Sequence, residues 1–240
     1  MKEQMIAELE NIYADTWDYF DKNKDQDSSL FSKVGTNNLG FAWLYTPPIY
    51  KPKLLICGQN PGNFGYHYDD EYDREMLKGE IPIINTYTAG RDGISYPFEF
   101  AKFIRKHLDK TAERKELLDT NTVGMNIFPF QYKGSATLSG KKNKEHKAFF
   151  KKLSIKIVKA IQPESIICIG VTSFDLINKN TAQGILKNEY KGKFYRYFAK
   201  GRFGDKPVYL VAHPSKLNQG VPPEKKDDSF NMALNLIELK

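Results

Sequence analysis

Four short apolar runs decide most of what this chain can become: Leu54–Cys57, Val123–Phe128, Ile166–Ile169 and Val208–Val211. Each has four to six residues, and all but Val123–Phe128, which Asn126 interrupts, are apolar at consecutive positions, the pattern of a strand buried on both faces. Between them the apolar spacing changes to that of helices. Phe98, Ala101, Ile104 and Leu108 mark one helix, and Phe149, Leu153, Ile157 and Ile161 mark another over residues 145–161. A short third helix runs through Phe174 and Ile177. Met5, Leu9, Ile12, Tyr13, Trp17 and Phe20 share one face of an opening amphipathic helix over residues 3–22, and a last helix begins near Ser229, a residue able to cap it. Short buried strands alternating with helices predict an α/β protein: three layers, α/β/α, around a mostly parallel sheet of four or five strands, with Phe194–Ala199 as an edge strand. Residues 21–50 read mostly as loop, and Tyr66–Ser95 as an irregular surface excursion with at most one short helix. With no internal repeat or linker, residues 1–240 read as one domain on which the N-terminal helix packs.

Composition narrows the function classes. Hydrophobic residues are 40% and charged residues 27% of the chain, as in a globular protein. No apolar run approaches the ~20 residues of a membrane helix, and Met1–Met5 lacks the apolar segment of a secretion signal. The two cysteines, Cys57 and Cys168, lie inside apolar runs and cannot build a four-cysteine zinc or iron–sulfur site; separately, no metal and no cofactor is expected. A reducing compartment, cytoplasmic or nuclear, is the expectation. Thirty-six Lys and Arg against 29 Asp and Glu leave +7, which suits a polyanion but equally describes a lysine-rich solvated surface.

In open α/β sheets, ligands collect at the carboxyl ends of the strands. Three polar clusters follow apolar runs here: Gly58-Gln59-Asn60-Pro61-Gly62, Asn126 to Pro129, and His213-Pro214-Ser215. Taken singly, each has an ordinary structural explanation. The first is a good turn by composition, Asn126 can satisfy backbone groups at a strand end, and His213 can be a loop-entry histidine. Those explanations leave unaddressed why all three fall at one rim.

The segment Gly58-Gln59-Asn60-Pro61-Gly62-Asn63-Phe64-Gly65 resembles the first motif of the uracil-DNA glycosylase superfamily, and its Asn-Pro-Gly-x-Phe-Gly core is most similar to the single-strand-selective monofunctional branch. His213-Pro214-Ser215-x-x-Asn218 resembles the second motif. Asn126-Ile127-Phe128-Pro129 is similar to the Asn-x-x-Pro segment that carries that branch's base-reading asparagine, and Ser139-Gly140-Lys141-Lys142-Asn143 to a Ser-Gly-Arg-Asn stretch. The resemblance spans about residues 53–220. Two positions depart from the pattern: Gln59 stands where that branch has a hydrophobic residue, and Asn60 where the classical enzymes have Asp.

The resemblance implies a monomeric DNA-repair enzyme that flips a uracil, or a related deaminated or oxidised base, out of DNA and hydrolyses its N-glycosidic bond. His213 would donate to uracil O2 as negative charge builds there. Asn60 would orient the attacking water, lacking the basicity of a carboxylate. Asn126 would read the Watson–Crick edge, which requires its amide to be held against flipping. Gln59 would line the base pocket, and Phe98, or failing it Phe64, would stack on the base. Pro61, Gly62, Ser139, Lys141, Lys142, Ser215, Lys216 and Asn218 would face the DNA backbone, with Leu217 as the wedge filling the vacated stack. Two other readings stay open: a non-catalytic nucleic-acid-binding protein retaining the fold, and a hydrolase of free nucleosides or nucleotides.

Overall fold

The computed structural model describes residues 1–23, 41–59, 78–89, 99–130, 144–214 and 220–237. Helix α1 (Lys2–Asn23) opens the chain and is followed by β1 (Leu54–Gly58), α2 (Glu99–Leu108), α3 (Ala112–Thr120) and β2 (Thr122–Asn126). Next come α4 (Lys144–Ile161), β3 (Ser165–Ile169), α5 (Val171–Ile177), β4 (Gln183–Tyr190), β5 (Lys193–Phe203), β6 (Lys206–Val211) and α6 (Pro223–Leu236). The strands form one sheet in the order β2-β1-β3-β6-β5-β4. β2, β1, β3 and β6 are mutually parallel, while β5 runs antiparallel to both β6 and β4.

The consecutive apolar residues do what two-sided burial demands. Leu55 and Cys57 of β1, Ile166 and Cys168 of β3, and Val208 and Leu210 of β6 enter one core with α1 and α4. Leu54 and Ile56, Ile167 and Ile169, and Tyr209 and Val211 enter a second core on the other face, with α2, α3 and α6. Alternate side chains of each strand thus serve opposite layers, giving the expected α/β/α sandwich. In β2 the residue facing the second core is Gly124, and a Cβ there would collide with the hydroxyl end of the buried Tyr87 ring.

Several expectations are corrected. The sheet has six strands among the described residues, not four or five, because Phe194–Ala199 belongs to a long β4–β5 hairpin whose outer strand is mostly exposed. β5 is therefore interior, and β4 is the edge. Residues 41–46 are not loose loop: they lie along β2, with Asn126 N–H donating to Trp43 O at 2.7 Å and Tyr45 N–H to Gly124 O at 2.8 Å. The Trp43 indole N–H donates to Thr16 Oγ1 at 2.9 Å, tying this strip to α1. Within the supposed surface excursion, Tyr87 is wholly buried, and residues 78–89 contain no helix. The last helix begins at Pro223, with Pro in the favoured first turn, so Ser229 lies inside it and does not cap it. Finally, α3 was not anticipated; it is capped by Thr111, whose hydroxyl accepts from Arg114 N–H at 3.3 Å.

Candidate active site at the carboxyl rim of the sheet

The carboxyl ends of four adjacent parallel strands set out a rim. In sheet order it carries Asn126 ending β2, Gly58 and Gln59 at β1, Gly170 after β3, and His213 two residues past β6. Gly58 and Asn126 are cross-strand partners. Beyond them Ile127 N–H donates to Gly58 O at 3.0 Å and Phe128 N–H to Gln59 O at 2.9 Å, which holds the first motif's opening against the Asn-x-x-Pro segment. Three strand spacings separate Asn126 from His213, ~14 Å between backbones. A ligand touching both side chains must therefore lie across the mouth of β1 and β3. Asn60, Pro61, Gly62, Phe64, Phe98, Ser139, Lys141, Lys142, Ser215, Lys216, Leu217 and Asn218 lie outside the described residues.

Asn126 is completely buried. Its Nδ2 donates to the Ala42 carbonyl at 2.8 Å, and its Oδ1 accepts from the Tyr45 hydroxyl. A carbonyl can only accept, so the group facing Ala42 must be the NH₂, and chemistry alone fixes which way the amide points. A hydroxyl adapts to either orientation, which makes Ala42 the decisive constraint and Tyr45 the second. The amide retains one N–H and one lone pair, now in a set order. Absence of a side chain at Gly58 leaves room beside the oxygen: a Cβ there would stand 3.5 Å from Oδ1. Around Tyr45 gather the rings of Tyr87 and Phe100, with centroids 6.2 and 6.3 Å away.

His213 borders a cleft of about 250 Å³ together with Gly170, Val171, Ala212, Phe194, Tyr195 and Arg196. Asn126 is not among its lining residues. A slightly larger hollow, about 290 Å³, lies near the amino ends of β1 and β3 among residues such as Met5, Tyr50 and Gln162, and carries no candidate residue. The described candidate residues therefore gather at the rim and not at this hollow.

Burial lowers the His213 pKa below the ordinary 6.5, and the positive charge of Lys226 lowers it further. The imidazole is accordingly neutral at neutral pH. Lys226 is itself buried, with 7% of its surface exposed. One turn further along α6, the Ser229 hydroxyl donates to Lys226 O at 2.8 Å and accepts from Ala212 N–H at 3.1 Å, so α6 grips the residue preceding His213. The position of α6 is in turn fixed against α2, where the buried His107 ring meets Asn231 Oδ1 and Asp227 Oδ1, each at 3.1 Å.

Sequence reasoning missed Ala42, Tyr45, Lys226 and Ser229. Only the apolar run Phe41–Tyr45 hinted at the first two, and nothing local signalled the others. Among the described residues no cluster of three His, Cys, Asp or Glu side chains could hold a metal ion. Cys57 and Cys168 are free, buried cross-strand neighbours. No described helix is long and apolar enough to cross a membrane.

Parallel strands flanked by helices, with polar groups converging at one rim, define an open α/β protein whose ligand site lies at the strand carboxyl ends. The chain belongs to the uracil DNA glycosylase superfamily, whose family model matches residues 45–238. That span includes the whole rim. Members of this superfamily are glycosylase hydrolases that act on DNA. No curated protein matches the chain.

Proposed function

We propose that this protein is a monofunctional glycosylase that releases uracil, or a closely related deaminated or oxidised base, from DNA after flipping it out of the stack. The observation that carries this reading is the orientation of the Asn126 amide. With its NH₂ committed to Ala42 and its oxygen to Tyr45, its remaining acceptor suits a ring N3–H and its remaining donor an O4 carbonyl, the edge that uracil presents. Cytosine reverses both partners, and inverting the amide would set its oxygen against the Ala42 carbonyl.

Breaking the glycosidic bond makes the sugar cationic and the departing base anionic, so fixed dipoles near the base oxygen lower the barrier most. A neutral His213 N–H supplies such a dipole, and the Lys226 charge that acts on His213 favours the same anion. Asn60, next in the chain after Gln59, would hold the water that captures the sugar. An amide orients without accepting a proton strongly, which makes this a slower catalyst than a carboxylate-bearing relative.

The test uses end-labelled oligonucleotides containing a single uracil, incubated with the protein and then treated with alkali. Strand cleavage at uracil, abolished by Asn126→Ala and absent at cytosine, is the expected outcome. Salt-sensitive binding without cleavage would instead select the non-catalytic binding protein.

A further inference from the structure

The β4–β5 hairpin reaches beyond the sheet that anchors it. The last β5–β6 pair is Phe198 with Val211, whereas Lys193, Phe194 and Tyr195 pair only with Tyr190, Glu189 and Asn188 of β4. Five residues at ~3.3 Å each carry the tip ~17 Å past the end of β6. This is the end at which His213 stands. A two-residue turn, Lys191-Gly192, with φ of 51° and 71°, closes the tip and matches strand twist.

The projecting arm is braced. Tyr195 packs on Gly220, where a Cβ would collide with its ring, and Asn188 Nδ2 donates to Gly220 O at 2.8 Å. Lys225 Nζ donates to Asn188 Oδ1 at 2.6 Å, and Arg196 pairs with Asp175 at 2.7 Å. Phe194, by contrast, is 68% exposed and borders the His213 cleft. Residues 183–206 hold seven Lys or Arg and two Asp or Glu, a net +5 within a chain of +7. A lone exposed aromatic is ordinary on a protein surface. One on a braced arm, beside the candidate site and on a hairpin of net positive charge, offers what single-stranded nucleic acid binds: rings for base faces and cations for phosphates.

We propose that the hairpin tip is a DNA-contact wall in which Phe194 stacks on an unpaired base adjacent to the flipped nucleotide while Lys191 and Lys193 meet backbone phosphates. The inference rests on DNA being the substrate at the His213 rim. A ring can stack only on a base whose face is open, so the wall favours single strands over duplex.

The experiment measures binding of the full-length protein to a uracil-free fluorescent oligonucleotide, single-stranded and as duplex, by anisotropy across a salt series. Phe194→Ala should weaken single-strand binding ~5- to 100-fold while changing duplex binding less than about twofold. The double variant Lys191→Gln/Lys193→Gln should reduce the slope of log affinity against log salt by ~0.7 per lysine. Wild-type single-strand affinity in Phe194→Ala, or an equal loss on both substrates, overturns the proposal, as does failure of the wild type to bind single strands. Because the probe lacks uracil, a protein that binds through the hairpin without releasing uracil would refute the catalytic reading alone. Uracil release with a neutral Phe194→Ala would refute the hairpin alone.

Discussion

Replacing Tyr45 by Phe removes one hydroxyl from the centre of the site and leaves the ring in place. In the wild type that hydroxyl donates to Asn126 Oδ1, both residues being buried. The ring volume is nearly conserved, so the cavity contribution is small, and the loss is dominated by an acceptor left short of a partner in a dry setting. Such a loss costs ~1–3 kcal/mol. Urea unfolding should therefore show a lower midpoint at unchanged slope, the sign of lost stability without a change in exposed surface. Base preference should behave differently. Inverting the amide would still forfeit the 2.8 Å bond from Nδ2 to the Ala42 carbonyl and oppose two oxygens. Hence Tyr45→Phe should excise uracil with less than about tenfold loss, on the scale of 1.4 kcal/mol per decade, and should still leave cytosine untouched. New cytosine release in this variant would refute the claim that Ala42 sets the amide, and unchanged stability would refute the Tyr45 hydrogen bond.

Further outcomes follow from α6 and its charge. Ser229→Ala strands the buried Ala212 N–H and should cost ~1–3 kcal/mol in chemical denaturation, with slower base release because His213 is the next residue; full stability would contradict the grip. His213 has a folded-state pKa below its ordinary value, so the unfolded chain binds its proton first as pH falls. Its contribution to stability is then constant above about 6.5, declines as pH drops toward the folded pKa, and levels off below it. Imidazole NMR should give a midpoint under 6.5 that rises in Lys226→Met yet stays under 6.5, since burial is the larger cause; a midpoint at or above 6.5 in the wild type would contradict the neutral donor.

The parallel half of the sheet was legible because β1, β3 and β6 are buried on both faces and so must be apolar without interruption. The hairpin was not, because only the middle of β5, around Phe198 and Ala199, is buried and β4 is largely in water. Helix α3 was equally hidden, having only Leu117 and Leu118 buried. At the site, the motifs pointed to Asn126 and His213 directly. Their supports escaped notice for physical reasons. The Ala42 constraint is a backbone carbonyl, which every residue possesses, and Tyr45 acts from 81 residues away. Ser229 looked like a helix cap because its hydroxyl suits that role, whereas the Pro222-Pro223 pair held the true start signal and the hydroxyl serves the strand end opposite.

In the proposed function, this rim releases uracil through a neutral histidine dipole and an oriented water. Its most direct measurement is the single-turnover rate of uracil release from a labelled oligonucleotide at saturating protein, for the wild type beside His213→Ala and Asn60→Ala. The wild type should release uracil measurably, with a fall of ~10²- to 10³-fold on losing the histidine donor and near-abolition without Asn60, all with DNA affinity retained. Equal rates in the three proteins, or none in the wild type, would contradict it.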